Sequence, residues 1–233
     1  MSERVDYFYS YRSPYSYLSA PRAFALPDRY EIELAFHGVV PMVMRGQAVP
    51  RVKGVHTIRD VAREARRLGM PFGRIHDPLG DGAMRCLRVG AHAVRRGREA
   101  DFVLAAGRAI WAEAVDVSRD QGLRTVCESA GLDWEECRAA LEDEELGATV
   151  ARDTAALDEL GHWGVPLMVL RGEIFWGQDR IEDLEAALEE AGLAREPGRL
   201  AREPGRANAD GRQPSARENI ESAATGARAE AER

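Results

Sequence analysis

The sequence predicts an α/β fold in which a small sheet is interrupted by a long helical segment. Three observations carry this. The chain opens with a strand–helix–strand pattern; residues 55–160 show helical periodicity and no strand signal; and a short hairpin leads into one last helix.

Val5–Ser10 (VDYFYS) is aromatic and β-branched, the composition of a strand. Ser13-Pro14 then gives a helix-start signal, an N-cap hydroxyl followed by proline at the first helical position, and the helix runs to about Leu26. Glu31–Phe36 (EIELAF) alternates polar and apolar residues, as a half-buried strand does. Beyond Val55 the apolar residues recur three and four apart. That spacing places them on one face of helices over Val55–Leu68, Ala83–Arg95, Ala100–Ala114, Arg119–Ala130, Trp134–Glu142 and Leu146–Leu160. Breaks fall at Gly69-Met70-Pro71, Asp77-Pro78-Leu79-Gly80, Gly97 and Gly131. Leu167–Leu170 and Glu173–Trp176 flank Arg171-Gly172, a spacing that predicts a tight hairpin. A final amphipathic helix spans Asp179 to Ala191 and stops at Gly192, a natural C-cap residue.

This order, β-α-β, then helices, then β-β-α, is that of a thioredoxin-like fold with an all-helical domain inserted in its middle. Residues 1–40 and 162–193 are expected to form the discontinuous thioredoxin-like domain, and 41–161 the insert. Residues 194–233 read differently. The heptapeptide AREPGRL at Ala194–Leu200 recurs as AREPGRA at Ala201–Ala207, and beyond Arg195 the large aliphatics are Leu200 and Ile220, with no aromatic. Such a stretch cannot bury enough apolar surface to offset the entropy of ordering it, so a disordered tail is expected.

Hydrophobic residues at 45% and charged residues at 30% are the balance of a soluble globular protein. A net charge of −7 argues against nucleic-acid binding as the main role, because neutralising phosphates requires a basic surface. Cys86, Cys127 and Cys137 are widely spaced and form neither C-x-x-C nor a metal-ligand cluster, so no disulfide framework and no metal are expected. The N-terminus lacks a basic stretch followed by an apolar run, and no window approaches eighteen uninterrupted apolar residues. Neither a signal peptide nor a membrane span is expected, and the cytoplasm is the default location. The oligomeric state is left open, with a homodimer among the options.

Three stretches would meet at one end of such a sheet. Ser13-Pro14-Tyr15-Ser16 occupies the strand–helix turn where thioredoxin-like proteins place C-x-x-C, because a helix N-terminus stabilises a thiolate. Serine cannot shuttle disulfides, but its O–H can donate to an incoming thiolate. On local evidence alone a plain N-cap is the stronger reading of Ser13. Gly164-Val165-Pro166 stands just before the third strand, where this fold carries a cis-proline; the plain alternative is a proline opening a strand. Trp176-Gly177-Gln178-Asp179-Arg180 joins a strand end to a helix start. Its amides and side chains suit the carboxylate and amine of a γ-glutamyl group, or equally simple capping.

Together these stretches resemble the 2-hydroxychromene-2-carboxylate isomerases and their relatives, the kappa-class glutathione transferases. Tyr7-Phe8-Tyr9 followed by Ser13-Pro14-Tyr15-Ser16-Tyr17-Leu18 resembles that family's strand and S-P-[YF]-S-Y-L motif. Gly164-Val165-Pro166 and the run from Phe175 to Arg180, with Leu184-Glu185, resemble its C-terminal signature. Lys53-Gly54, Arg59-Asp60 and Ala65 to Phe72 resemble its basic loop and first inserted helix. The resemblance implies a glutathione-dependent isomerase acting on a small aromatic or electrophilic substrate. Ser13 would contact the glutathione sulfur as the catalytic residue, and the main chain at Val165-Pro166 would pair with the cysteinyl unit. Gln178 and Asp179 would hold the γ-glutamyl end, and Lys53 the glycyl carboxylate, with Arg12, Tyr15 and Arg180 as supporting residues. A kappa-like transferase, a disulfide oxidoreductase of the DsbA type and a non-catalytic binding module are the rival readings, and the missing C-x-x-C weakens the second. Four positions depart from the family pattern: Ser10, where an acidic residue is usual, Arg12, where a small or apolar one is, His56 in place of a tyrosine, and Asp81-Gly82 near an expected Asn-Ser pair.

Overall fold

In the computed structural model, which describes residues 2–195, four strands form one mixed sheet in the order β2-β1-β3-β4. These are β1 (Glu3–Tyr9), β2 (Ile32–Gly38), β3 (Leu167–Leu170) and β4 (Glu173–Trp176). β1 runs parallel to β2 and antiparallel to β3, and β3 is antiparallel to β4. A parallel pair needs a crossover, which α1 (Pro14–Phe24) and the single turn α2 (Leu26–Arg29) supply. Between β2 and β3 come α3 (Arg51–Arg67), α4 (Asp81–Arg95), α5 (Glu99–Ala112), α6 (Asp120–Ser129), α7 (Trp134–Ala140) and α8 (Glu144–Glu159); α9 (Ile181–Glu190) closes the described chain. The thioredoxin-like order read from the sequence is the order observed.

β1 is buried on both faces, so its residues do not alternate between core and solvent. Tyr7 and Tyr9 share one buried cluster with Tyr17 and Leu18 of α1 and with Phe102, Ile110 and Trp111 of α5. Phe8 points the other way, with Leu157 of α8 and with Leu167 and Val169 of β3. The β3–β4 hairpin turns through Arg171 at φ 51° and Gly172 at φ 86°. Both central residues of the two-residue turn are left-handed, the twist that tight hairpins favour.

On the second face His37 of β2 lies between two carboxylates. Its Nδ1 is 2.9 Å from Asp153 Oδ1 on α8 and its Nε2 is 2.8 Å from Asp6 Oδ1 on β1, while its ring stacks on Phe8. Burial alone would lower the His37 pKa, but the hydrogen bonds and charges of Asp153 and Asp6 outweigh it and raise it.

Most element boundaries differ from the expected ones by one to four residues, and three helix starts show why. α3 starts at Arg51, directly after Pro50, and α4 at Asp81, directly after Gly80, because proline and glycine set the two helix starts more tightly than the apolar pattern shows. Gln178–Arg180 form a short 3-10 turn, so the last helix begins at Ile181 rather than Asp179. The body also extends past Leu193: Tyr30 bridges to Ala194, and Arg195 donates from Nε to the carbonyls of Pro27 and Tyr30. Arginine there acts through its fork of donors, a role that apolar content does not reveal. The remainder of the expected tail lies outside the described residues.

Candidate active site

The strand order decides which loops can meet. Because β1 and β3 are antiparallel neighbours, the C-terminal end of β1 lies beside the N-terminal end of β3, with Phe8 opposite Leu167. Trp176, at the C-terminal end of β4, also faces Leu167. The segments after β1, before β3 and after β4 therefore converge on one sheet end, carrying Ser13, Val165-Pro166 and Gln178-Asp179.

Ser13 is the N-cap of α1. Its backbone is extended, and its Oγ accepts the Ser16 N–H at 3.1 Å. The same hydroxyl donates to the Val165 carbonyl at 3.1 Å. The expected N-cap role is thus present, and the hydroxyl proton also reaches across to the segment before β3. Pro14 has no N–H and Ser13 takes that of Ser16, so Tyr15 N–H is the open donor of the first turn among the described residues. The Val165-Pro166 bond is cis, and Pro166 is buried. Among the described residues the Val165 N–H has no partner. Val165 therefore offers one free N–H and one carbonyl to an extended ligand backbone, the main-chain pairing of an added strand.

Gln178 is buried and is fixed from a distance. Arg22 Nη2 donates to both the main-chain oxygen of Gln178, at 2.5 Å, and its Oε1, at 2.6 Å. The Oε1 is therefore spoken for, and the side-chain amide is the group left to donate. Asp179 is exposed and pairs with Arg180, which also pairs with Asp183. Lys53, from the first turn of α3, is exposed and holds its ammonium 5.0 Å from the centroid of the Trp163 ring. Trp163 in turn packs edge-on against Trp176. Gly164 makes this possible, since a Cβ there would lie 2.7 Å from Trp176 Nε1.

These groups line one cleft of about 950 Å³, which includes Ser10, Arg12, Ser13, Tyr15, Lys53, Val165, Pro166, Gln178 and Asp179. Arg180, His56 and Asp81 do not line it. The two supporting residues that do are committed elsewhere. Arg12 makes a two-pronged bond to Asp77, at 2.7 and 2.8 Å, and the Tyr15 hydroxyl donates to Asp60 Oδ2 at 2.8 Å. Burial and the neighbouring Asp60 carboxylate push the Tyr15 phenol well above its ordinary pKa, so it stays protonated. Sequence reasoning missed Arg22, Asp77, Asp60 and Trp163. Arg22 stands 156 residues from Gln178, and Arg12 stands 65 from Asp77, so no local pattern announces either pair.

Cys86, Cys127 and Cys137 are free, buried and absent from the cleft. Among the described residues no His, Cys, Asp and Glu side chains are grouped to hold a metal, and no helix is long and apolar enough to cross a membrane.

Comparison with known proteins agrees with this architecture. The chain is similar to the 2-hydroxychromene-2-carboxylate isomerase of Sphingobium xenophagum, with 25% identity over 199 residues, covering 81% of this chain and 99% of the relative. It is similar to the enzyme of the same name from Pseudomonas putida, with 26% identity over 193 residues, covering 79% and 93%. A solved 2-hydroxychromene-2-carboxylate isomerase shares the fold, with a TM-score of 0.70 at 24% identity over 81% of this chain and 96% of that one. Residues 4–189 match the family model of the DSBA-like thioredoxin domain, and the chain belongs to that family.

Proposed function

We propose that this chain is a glutathione-dependent isomerase of the reaction type named for its relatives, with Ser13 as the catalytic residue. The observation that carries the proposal is the Ser13 hydroxyl. It sits at a helix N-terminus, hydrogen-bonded to the carbonyl that precedes a cis-proline, in a cleft that contains no cysteine.

The residues present fit glutathione. Its cysteinyl main chain matches the free N–H and the carbonyl of Val165, with Pro166 beside it in the cleft lining. Its γ-glutamyl end suits the Gln178 amide and the Asp179 carboxylate, the latter for the amine. Its glycyl carboxylate suits Lys53, which has no carboxylate partner among the described residues. Bound glutathione supplies a thiolate that adds to a conjugated carbon and later leaves it, so the C–S bond made is also broken and a double bond turns while it is single.

The task of this chain is to hold that negative charge at neutral pH. A thiol with pKa near 8.5 needs about 2–3 kcal/mol to reach 6.5–7, at ~1.36 kcal/mol per unit. A charge-assisted hydrogen bond from Ser13 contributes about 1.5–3 kcal/mol when a glutathione N–H takes over the Val165 carbonyl that the hydroxyl now serves. The first turn of α1, with the open Tyr15 amide, adds about 0.3–1 kcal/mol. No general base is required. We read residues 41–161 as an insertion that brings Lys53 and the apolar wall to a discontinuous thioredoxin-like domain, and we place the protein in the cytoplasm.

The test is to incubate a cis-configured conjugated enone with the protein, with and without glutathione. Isomerisation without change of mass, and only with glutathione present, is the expected outcome. A stable conjugate heavier by one glutathione would make the protein a transferase, and turnover without glutathione would end the proposal.

A further inference from the structure

The cleft has a second half, beyond the groups assigned to glutathione, and its charges are already matched. Four basic side chains line the cleft. Arg12 is held by Asp77, and Arg67 by Glu64. Arg45 is held by Asp158 and by the carbonyls of Val40 and Trp163. Of these four, Lys53 is the one without a carboxylate partner among the described residues, and we assign it to the glycyl carboxylate of glutathione. A second carboxylate entering here would meet Asp77, Asp60 and Glu64 with no unspent cation to receive it. Leaving such a charge unpaired is costly, and serving it would mean sharing or opening one of these partly exposed arginine pairs.

The hydrogen-bonding capacity that remains is neutral. Ser10 Oγ and Trp111 Nε1 have no partner among the described residues; both atoms are closed off from the cleft, although both residues border it. Ser10 is 3% exposed and Trp111 4%. A small side-chain turn into the cleft would offer either donor to a carbonyl oxygen, which accepts without bringing charge. Met42, Val43 and Ile75 add apolar side chains to the cleft lining.

We propose that the second substrate is a neutral, planar, conjugated carbonyl compound that carries no carboxylate. This rests on the glutathione reading of the other half of the cleft. It departs from the carboxylate that gives the relatives their name.

The experiment compares benzoylacrylate with its methyl ester in the full-length protein with glutathione, each rate divided by its uncatalysed rate. The ester is expected to be preferred by about tenfold or more, the factor an unpaired charge imposes. Asp77→Asn leaves the Arg12 charge uncompensated, so the preference for the ester should narrow through a lower KM for the acid. Equal or better use of the acid by the unmodified protein, or an unchanged preference in Asp77→Asn, overturns the proposal. A second measurement does not depend on turnover. Calorimetric binding of benzoylpropionate and its methyl ester to Lys53→Met without glutathione should favour the ester, and equal or tighter binding of the acid also overturns the proposal. If glutathione fails to bind the unmodified protein, the reading of Ser13 falls, and this comparison still decides the character of the apolar wall.

Discussion

Replacing Ser13 by alanine isolates the hydroxyl while keeping the amides and the dipole of α1. In the structure that hydroxyl already donates to Val165 O at 3.1 Å, so it must leave one partner to serve a thiolate. The neutral bond given up contributes about 0.5–1.5 kcal/mol, against about 1.5–3 for the charge-assisted bond gained. The balance is about 1–1.5 kcal/mol, or about one pKa unit at ~1.36 kcal/mol each. If an N–H of bound glutathione takes the place of the hydroxyl at Val165 O, the whole charge-assisted value counts and the rise approaches about two units. Ultraviolet absorbance of the bound thiolate across pH measures this in the unmodified protein, in Ser13→Ala and in Ser13→Thr. The alanine variant should show the raised pKa, with activity lost near neutrality and partly recovered in alkali, while threonine should retain most of the depression. Alanine also removes the cap on Ser16 N–H, at a cost of about 1 kcal/mol of stability, which thermal unfolding reads separately. A bound thiol whose pKa is the same in the alanine variant would refute the role assigned to Ser13.

Arg22→Met should free Gln178, costing about 1.5–3 kcal/mol of stability for the lost charged hydrogen bonds. It should also raise KM for glutathione more than it lowers kcat, and an unchanged KM would detach Gln178 from ligand binding. Gly164→Ala places a Cβ 2.7 Å from Trp176 Nε1, so an overpacking cost of about 1–3 kcal/mol and altered tryptophan fluorescence are expected. A spectrally silent variant would contradict that packing. The His37 cluster predicts a pH window. The raised His37 pKa contributes stability that is fully present below its ordinary 6.5 and is lost as pH rises through the folded value. Burial raises the Asp6 pKa, but the hydrogen bonds from His37 and Arg4 outweigh it, so that contribution is present above 3.8 and is lost as pH falls through the folded value. The stability advantage of the unmodified protein over His37→Gln should therefore be greatest between those limits and shrink on either side. A difference independent of pH would show that the cluster acts through packing alone.

The parts of this molecule legible in the sequence are those encoded by short spacings. The Ser13-Pro14 helix start, the Arg171-Gly172 turn and the three-and-four periodicity of α3 to α8 are each local in the chain, and each element is present, although α3 and α4 start two to four residues earlier than the periodicity marks. Once the strand order follows, the meeting of Ser13 with Val165 follows too, although 152 residues separate them. What was not legible is what arginine does in three dimensions. Arg22 on Gln178, Arg12 on Asp77 and Arg195 on Pro27 and Tyr30 each join residues 65 or more apart in the chain. In a chain with one lysine among 32 basic residues, abundance hid which arginines were engaged. Arg12 looked available to support an anion beside Ser13, and the structure gives it to Asp77 instead. The departures from the family pattern sort by position as well. Ser10 and Arg12 line the cleft, while His56 and Asp81 lie outside its lining.

The proposed function requires glutathione to lie with its sulfur at Ser13 and its backbone on Val165. A crystal structure of the full-length protein with glutathione tests this directly. The sulfur is expected within hydrogen-bonding distance of Ser13 Oγ, the cysteinyl unit paired with the free Val165 N–H, and the glycyl carboxylate at Lys53. Glutathione seated with its sulfur away from Ser13, or with Val165 unpaired, would contradict it.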